Sequence, residues 1–375
     1  MDFLVSRKCL NFAIVDLHNG GFRKADERVG NFYKKRMKHS LKHQVKSLAM
    51  TVILLIISSV LSAQKIAIID AGSSGSRLYV YELKNKGSDK ELAILYPKQG
   101  QEAGSKGRVL SSVANHEDSV KVYLTTMTGK YNDDNDTAKI SLYILATAGM
   151  RLMPENEADS IYGKIHSEAK ELKGFNLEEA MTISGRYEGF YAWMAANYKQ
   201  KTLTCSGTSY GILEIGGASM QIAFATDGQC PDCISRNGST NIYSRSYLGG
   251  GVDQIYNRNK GKDTLDFDIG LENVSYLYGK DIEFLGQGKP IEIVLEGINN
   301  KNTIEDYLKS LQNNDSPQNF HPWINAQYIT FVIRNLNLEN KLKKSNEKSD
   351  WTEGAALDIL VNKEMPEKFD YRTKN

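Results

Sequence analysis

Beyond residue 63, apolar and polar residues come in blocks that read alternately as strands and helices, the pattern of an α/β protein. "IAIID" (66–70) and "RLYVYEL" (77–83) are rich in β-branched and aromatic residues and flank a Gly/Ser cluster, which predicts a hairpin. The apolar run 140–146 within "DTAKISLYILATAG" predicts another buried strand. "ENEADSIYGKIHSEAKELKG" reads as a helix that Gly174 stops. A second helix is expected over "SGRYEGFYAWMAANY", where Tyr187, Phe190, Tyr191, Met194 and Tyr198 fall three or four apart in one apolar stripe. "SYGILEIGGASMQIAF" then repeats the opening pattern of apolar run, acid, small-residue turn and apolar run. Aligning Asp70 with Glu214 sets Gly72 over Gly216, so two similar hairpins stand 144 residues apart. Past residue 235 the pattern weakens into short segments. The charged run "LENKLKKSNEKSD" reads as a solvated linker or helix face before a last helix near "DWTEGAALDIL".

A chain of 375 residues suits two lobes or one large α/β unit, and 41% hydrophobic with 25% charged residues is ordinary for a globular protein. The distribution of charge is more informative. Residues 1–46 hold eleven Lys/Arg against four Asp/Glu, a net +7, which leaves the rest of the chain at −5 of the overall +2. A mildly acidic body argues against nucleic acid as a partner. No charge falls between Lys46 and Lys65, and the apolar stretch there follows a basic segment and ends in small residues. That describes a secretory signal peptide over about 37–63 of a secreted or periplasmic protein. The alternative is an uncleaved membrane anchor. A stretch just under comfortable spanning length, with a Ser-rich tail and no exit cysteine, favours cleavage over either a span or a lipoprotein anchor. Residues 1–36 precede the ordinary signal-peptide start that Met37 offers. Cys230 and Cys233 form a C-x-x-C with no second C-x-x-C or His pair, so a local disulfide is favoured over zinc, and Cys205 is left odd.

The two hairpins carry the candidate chemistry. A glycine-rich turn lets backbone N–H groups converge into an anion-sized nest, and serine adds hydroxyl donors. One "GSSGS" is a weak signal that a plain hairpin turn also gives. It is no Walker A loop, since no Gly-Lys-Ser/Thr follows, and a strand rather than a helix comes next; the dinucleotide fingerprint fails for the same reason. Two such turns, each behind a carboxylate, make a stronger signal. Gly72, Ser73, Ser74 and Gly75 on one side, with Gly216, Gly217, Ala218 and Ser219 on the other, suit a clamp on a polyphosphate. Asp70 and Glu214 then suit a hydrated divalent cation, Mg²⁺ in particular keeping its waters. Glu188 lies off the apolar stripe of its helix, on a face that continues through Ala192 and Ala195. It reads as a base beside a phosphate chain or as a first-turn acid matched to the helix dipole; spacing alone does not choose.

Taken in order, "IIDAGSSGSRLYVY", "ATAGMRLM", "ISGRYEGFYAWMAANY", "EIGGASMQIAF" and "DWTEGAALDIL" resemble the five signature motifs of the apyrases, the nucleoside triphosphate diphosphohydrolases. "SRSYLGGGVDQ" is similar to a stretch that follows the fourth motif in that family. The resemblance runs from about Ile66 to Leu360. It implies an actin-like (sugar kinase/actin) fold of two RNase H-like lobes with the nucleotide in the cleft. By that pattern lobe I spans 64–186, lobe II spans 187–345, and a C-terminal helix in 346–375 returns to lobe I. The implied activity is hydrolysis of the terminal phosphate of nucleoside tri- and diphosphates to the monophosphate, with Ca²⁺ or Mg²⁺, by direct attack of an activated water. Carried over by position, Glu188 is the general base, while Thr147, Ala148 and Gln221 place the water. Ser73 and Ser219, with the amides of Gly72 and Gly217, hold the phosphates. Asp70 and Glu214 bind the metal through its water shell. Glu214 departs from the family's aspartate by one methylene, which keeps the charge and bears on where the ion sits or on Ca²⁺/Mg²⁺ preference. Arg77 matches a variant of the first motif, and Trp193 and Trp351 match tryptophans expected to pack.

In "NFHPWINAQYITF", Phe320, Trp323 and Tyr328 are candidates to stack on the base, with core packing the commoner role for each. Three other readings compete. A kinase of the same fold lacks an evident ATP supply after export. An exopolyphosphatase-like phosphatase fits the 184–198 helix less well. Against a non-catalytic nucleotide-binding protein stand the intact Glu188, Asp70, Ser73, Ser219 and Gln221.

Overall fold

In the computed structural model, β1 (Gln64–Gly72) and β2 (Gly75–Lys86) form the first expected hairpin, with Asp70 opposite Arg77 and Gly72 opposite Gly75. The described residues are 64–372 without 87–88, 99–108, 116–118, 133–137, 204–208, 228–229, 231–232, 237–239, 273, 280 and 313–319. The expected signal peptide or anchor within 1–63, and Cys205, lie outside them. Among the described residues no helix is long and apolar enough to cross a membrane.

With β3 (Asp89–Tyr96), β4 (Ile140–Ala146) and β5 (Phe175–Thr182), the hairpin builds a sheet of order β3-β2-β1-β4-β5. β6 (Gly211–Ile215) and β7 (Ser219–Thr226) are the second expected hairpin. β8 (Cys233–Arg236), β9 (Thr240–Leu248), β10 (Phe284–Gln287) and β11 (Leu342–Lys344) complete a sheet of order β11-β10-β6-β7-β9-β8. The two sheets share one topology. In each, a hairpin pairs antiparallel with a third strand on one side (β3, β9) and parallel with two later strands on the other (β4 and β5; β10 and β11). β8 is an addition at one edge, and a disulfide joins Cys230 to Cys233 at its start, as favoured from the sequence.

Strand alternation sorts side chains into layers. The α-helices among the described residues are α1 (Ser119–Thr128), α2 (Ala148–Arg151), α3 (Glu155–Glu168), α4 (Gly185–Lys199), α5 (Val252–Asn259), α6 (Lys289–Lys301), α7 (Ile304–Gln312), α8 (Phe320–Asn335) and α9 (Trp351–Leu357). Ala67, Ile69 and Ala71 of β1 face outward and pack with Tyr123 and Leu124 of α1 and Ile161 and Ile165 of α3. Leu213 and Ile215 of β6 face outward and pack with residues of α5, α6 and α8 such as Ile255, Ile291 and Ile329. Ile66 and Ile68 of β1, with Ile212 of β6, meet in one inner core around Phe190 and Tyr191 of α4 and Trp351 of α9. A layer of α4 and α9 therefore lies between the sheets. Asp70 has the parity of Ile66 and Ile68, and Glu214 that of Ile212, so both acids belong to this inner side.

That placement alters the expected character of α4. Its aromatic stripe is present, but eleven of its fifteen residues are buried, so the helix has no solvent face of the usual breadth. Ser184 starts it, its Oγ accepting from the Tyr187 amide at 3.4 Å. On the side away from the stripe, a Cβ added at Gly185 would lie 2.3 Å from Ser246 Cβ on β9. At the crossing with α9, a Cβ on Gly354 would lie 2.1 Å from the Tyr191 carbonyl oxygen. Trp193 and Trp351 pack in the inner core as expected. Part of the charged run read as linker is β11, a three-residue edge strand whose exposed Lys343 and Lys344 pair with Glu283 and Glu296.

Two glycines in helices give opposite predictions. At Gly163 in α3 nothing lies within 4 Å of an added Cβ, and Gly163→Ala should raise stability by about 0.5–1 kcal/mol. Gly354→Ala should lower it by about 2–3 kcal/mol through overpacking. Urea midpoints check both, and an unchanged midpoint for Gly354→Ala would refute the close crossing.

A second link between α4 and α9 depends on pH. Glu353 is 3% exposed and lies 2.8 Å from Lys199 Nζ. Burial raises its pKa from 4.5 to about 7, against the opposing pull of Lys199. The folded state thus holds this proton more tightly than the unfolded chain. The associated stability is complete below about pH 4.5 and is lost as pH rises through about 7. Glu353→Gln should therefore gain on the wild type by about 3 kcal/mol between pH 4.5 and 8 in denaturation curves; a difference that does not vary with pH would contradict this.

Candidate active site

Ligands of α/β sheets gather at the carboxyl ends of the strands, and there the two acids stand. Asp70 is 4% exposed and accepts a hydrogen bond from Arg77 Nη1 at 3.1 Å. Glu214 lies between Gln221 on β7 and Gln287 on β10 in the sheet register, and its Oε2 is buried without a hydrogen-bond partner. Burial pushes the Asp70 pKa up to about 8; Asp350 and Glu188 add repulsion, and Arg77 pulls the other way. The Glu214 pKa is likewise raised well above the carboxylate range, first by burial and then by Glu188, Asp350 and Asp70, with Arg151 opposing. The inner layer thus gathers acidic groups at one place, where burial disfavours their ionisation.

Glu188 sits in the first turn of α4, 7% exposed. Its Oε2 accepts from Arg151 Nη2 at 2.6 Å and from Gln221 Nε2 at 3.1 Å. Gln221 Nε2 also lies 2.7 Å from Ser219 Oγ and 3.1 Å from Ser246 Oγ. Strand alternation explains the pair: Ser219 and Gln221 are two apart on β7 and share a face. Thr147 and Ala148, both buried, occupy the step from β4 to α2, where the Thr147 amide donates to the Ala71 carbonyl at 3.3 Å. The Thr147 carbonyl in turn accepts from the Arg151 amide at 3.2 Å and so closes the short helix that carries Arg151.

The two turns adjoin. A Cβ on Gly217 would lie 3.0 Å from Ser73 Oγ and 2.5 Å from Asp253 Oδ2, and a Cβ on Gly149 would lie 3.0 Å from Ser73 Cα. Small residues suit this approach, since an added Cβ at either glycine would press on its neighbour. The Gly216 amide donates to the Ser219 carbonyl at 3.0 Å, and the carbonyls of Gly216 and Gly217 accept from Val252 and Asp253 at 3.0 and 2.9 Å. The first turn of α5 therefore fixes the second loop, and Ala218 is buried within it. Ser74 stands exposed at the tip of the first turn, apart from the hydrogen-bonded cluster around Glu188.

Two residues that sequence reasoning missed join the site. Arg151, inside "ATAGMRLM", is 2% exposed and reaches Glu188, Ser219 and the Ile183 carbonyl. Asp350 caps α9: its Oδ1 accepts from the Thr352 amide at 3.0 Å, and its Oδ2 accepts from the Tyr79 hydroxyl at 2.6 Å. A second bond between Tyr81 and Thr352 at 2.7 Å ties the same helix start to β2. The D-W-T-E spacing of a helix N-terminus was the available signal for Asp350; burial of Arg151 has no counterpart in the sequence. Among the base-stacking candidates, Tyr328 is fully buried with its hydroxyl donating to the Gly250 carbonyl at 2.6 Å, and Trp323 is half-buried against the same core. Phe320 begins α8.

The chain is 32% identical over 196 residues to nucleoside-triphosphatase ntp-1 of Caenorhabditis elegans, a match covering 50% of this chain and 33% of that protein. It is 31% identical over 199 residues to ectonucleoside triphosphate diphosphohydrolase 1 of Bos taurus, covering 48% and 38%. The chain thus spans between a third and two-fifths of the length of these relatives. Among solved structures, the Aquifex aeolicus member of the Ppx/GppA family superposes with a TM-score of 0.50 at 16% identity, over 80% of this chain and 99% of that one. That likeness concerns the fold and agrees with the expected actin-like α/β architecture of two helix-covered mixed sheets. The sequence pattern of the GDA1/CD39 (nucleoside phosphatase) family matches residues 62–267, which takes in both hairpins, α2 and α4. Because that match extends over more than half of the 375 residues and through the whole hydrogen-bonded cluster, the chain belongs to the GDA1/CD39 family.

Proposed function

We propose that this protein hydrolyses the terminal phosphate of nucleoside tri- and diphosphates to the monophosphate. The observation that carries the reading is the convergence of Glu188, Gln221 and Ser219 on one point, beside two small-residue turns that adjoin at Ser73 and Gly217. The names of its relatives, among them a Golgi apyrase of Schizosaccharomyces pombe, support nucleotides as the substrate class.

In this account the phosphates lie between the turns, held by Ser73, Ser219 and the amides of Gly72 and Gly217. Glu188 accepts a proton from a water that Gln221, Thr147 and Ala148 hold in line. The water oxygen bonds to the terminal phosphorus as the bond from phosphorus to the bridging oxygen breaks. That electron pair leaves with the nucleoside di- or monophosphate. Asp70 and Glu214 suit a hydrated Ca²⁺ or Mg²⁺, because both acids stand on the inner side and the Glu214 Oε2 lacks a hydrogen-bond partner. When bound, the ion supplies charge neutralisation for the phosphates. The "ecto" and "Golgi" in the relatives' names support an extracellular or lumenal site of action, in keeping with a signal peptide over about 37–63.

Phosphate release by the whole protein tests the proposal. Release from ATP and ADP, not from AMP or polyphosphate, and its loss with a chelator are expected. Glu188→Ala should lower kcat by about 10²–10⁴-fold while retaining nucleotide binding. Release from polyphosphate alone would replace the substrate assignment with the exopolyphosphatase reading, and undiminished turnover in Glu188→Ala would remove Glu188 from the role of base.

A further inference from the structure

We propose that Arg151 is a positioning residue, holding Glu188 in line with the attacked phosphorus and turning the Ser219 hydroxyl toward the terminal phosphate; this rests on the hydrolase reading above. The side chain starts on the first sheet's side, at the end of α2, and its contacts lie on three other elements. Nη2 donates to Glu188 Oε2 on α4 at 2.6 Å and to Ser219 Oγ on β7 at 3.2 Å. Nη1 donates to the Ile183 carbonyl, just past β5, at 3.3 Å. One guanidinium therefore fastens the candidate base, the second phosphate turn and the end of the first sheet into a single arrangement.

A buried arginine is costly and needs a reason. Here the cost is visible, since Nε has no hydrogen-bond partner. Room for the group is made by Gly185, where an added Cβ would lie 3.2 Å from Nη1. Glu188 is buried in a region that also holds the acids Asp70 on β1 and Glu214 on β6, on both of which it acts through space. Arg151 makes a direct charge-assisted hydrogen bond to it at 2.6 Å. The planar fork also fixes the direction of the carboxylate, which a lysine ammonium would not.

The second consequence concerns hydroxyl polarity. A serine hydroxyl has two lone pairs and one proton. Ser219 Oγ accepts from Arg151 Nη2 at 3.2 Å and from Gln221 Nε2 at 2.7 Å, which fills both lone pairs. Its proton is left to be given to an acceptor, and a phosphate oxygen at the adjoining turns is one. Arg151 thus sets the turn as donor toward an anion without touching the substrate itself.

The test compares Arg151→Gln and Arg151→Lys in the full chain, with phosphate release from ATP across pH and binding of a non-hydrolysable ATP analogue. Arg151→Gln should lower kcat at least 100-fold with less than a tenfold loss of analogue affinity. The acid limb of its pH–rate profile should move upward by about one unit or more, as Glu188 keeps its acidic neighbours and loses its cation. Arg151→Lys should restore much of the limb's position but little of the rate. Adding Ser219→Ala to Arg151→Gln should cost much less than Ser219→Ala costs alone, because both act through one hydroxyl. An unmoved acid limb in both variants, with rate losses that multiply independently, would overturn the role of Arg151. Absence of nucleotide hydrolysis by the wild type would instead overturn the hydrolase reading on which it stands. Should Arg151→Gln fail to fold by circular dichroism, the lysine variant's limb and its cycle with Ser219→Ala decide the matter alone.

Discussion

Buried acids set the terms of this structure. Burial first, and then Glu188 and Asp350, raise the cost of ionising Asp70 and Glu214, and two guanidinium groups, Arg77 and Arg151, offset only part of that cost. A fold selected for stability alone would replace such groups by apolar ones. Asp70 and Glu214 stand at the carboxyl ends of β1 and β6, where the proposed hydrolysis gives a reason to keep them. Each acid reaches the inner side because strand alternation puts it there, in step with Ile66 and Ile68 or with Ile212. Moving either strand by one residue would send its acid to the outer face.

The shared topology makes the arrangement two-sided. Both sheets present a hairpin whose first strand carries an acid near its end and whose turn is made of small residues. The turns approach closely enough that a Cβ on Gly217 would press on the side chains of Ser73 and Asp253. Between the sheets, α4 must be apolar on one side and narrow on the other. The same helix that fills the inner core with Phe190 and Tyr191 thereby delivers Glu188 to the end of that core, next to Gln221. Packing and chemistry here depend on one element.

How much of this could be read in advance follows from the range of each signal. Both hairpins, the strand 140–146, the helix after Ser184 and the last helix are local patterns of periodicity, turn residues and caps, and they stand where the sequence places them. β5 was missed because "FNLEEAMT" mixes buried and exposed positions and includes two glutamates, as an edge strand tolerates. β11 was hidden in a charged run for the same reason. The aromatic stripe of α4 was legible, but burial of its opposite side depends on the second sheet, which no local pattern describes. Arg151 and Asp350 escaped because their partners are remote in sequence: Glu188 and Ser219 lie 37 and 68 residues from Arg151, and Tyr79 lies 271 from Asp350. The family resemblance named Glu188, Gln221 and Ser219, and the structure adds that hydrogen bonds unite them with Arg151.

The proposed hydrolysis requires that the two turns form one phosphate clamp with the base beside it. The most direct measurement is a crystal structure of Glu188→Gln with ATP and Ca²⁺. The account predicts the terminal phosphate between Ser73 and Ser219, the ion reached through water from Asp70 and Glu214, and a water within hydrogen-bonding distance of residue 188 and Gln221. Phosphates bound away from either turn, or an ion distant from both acids, would contradict it.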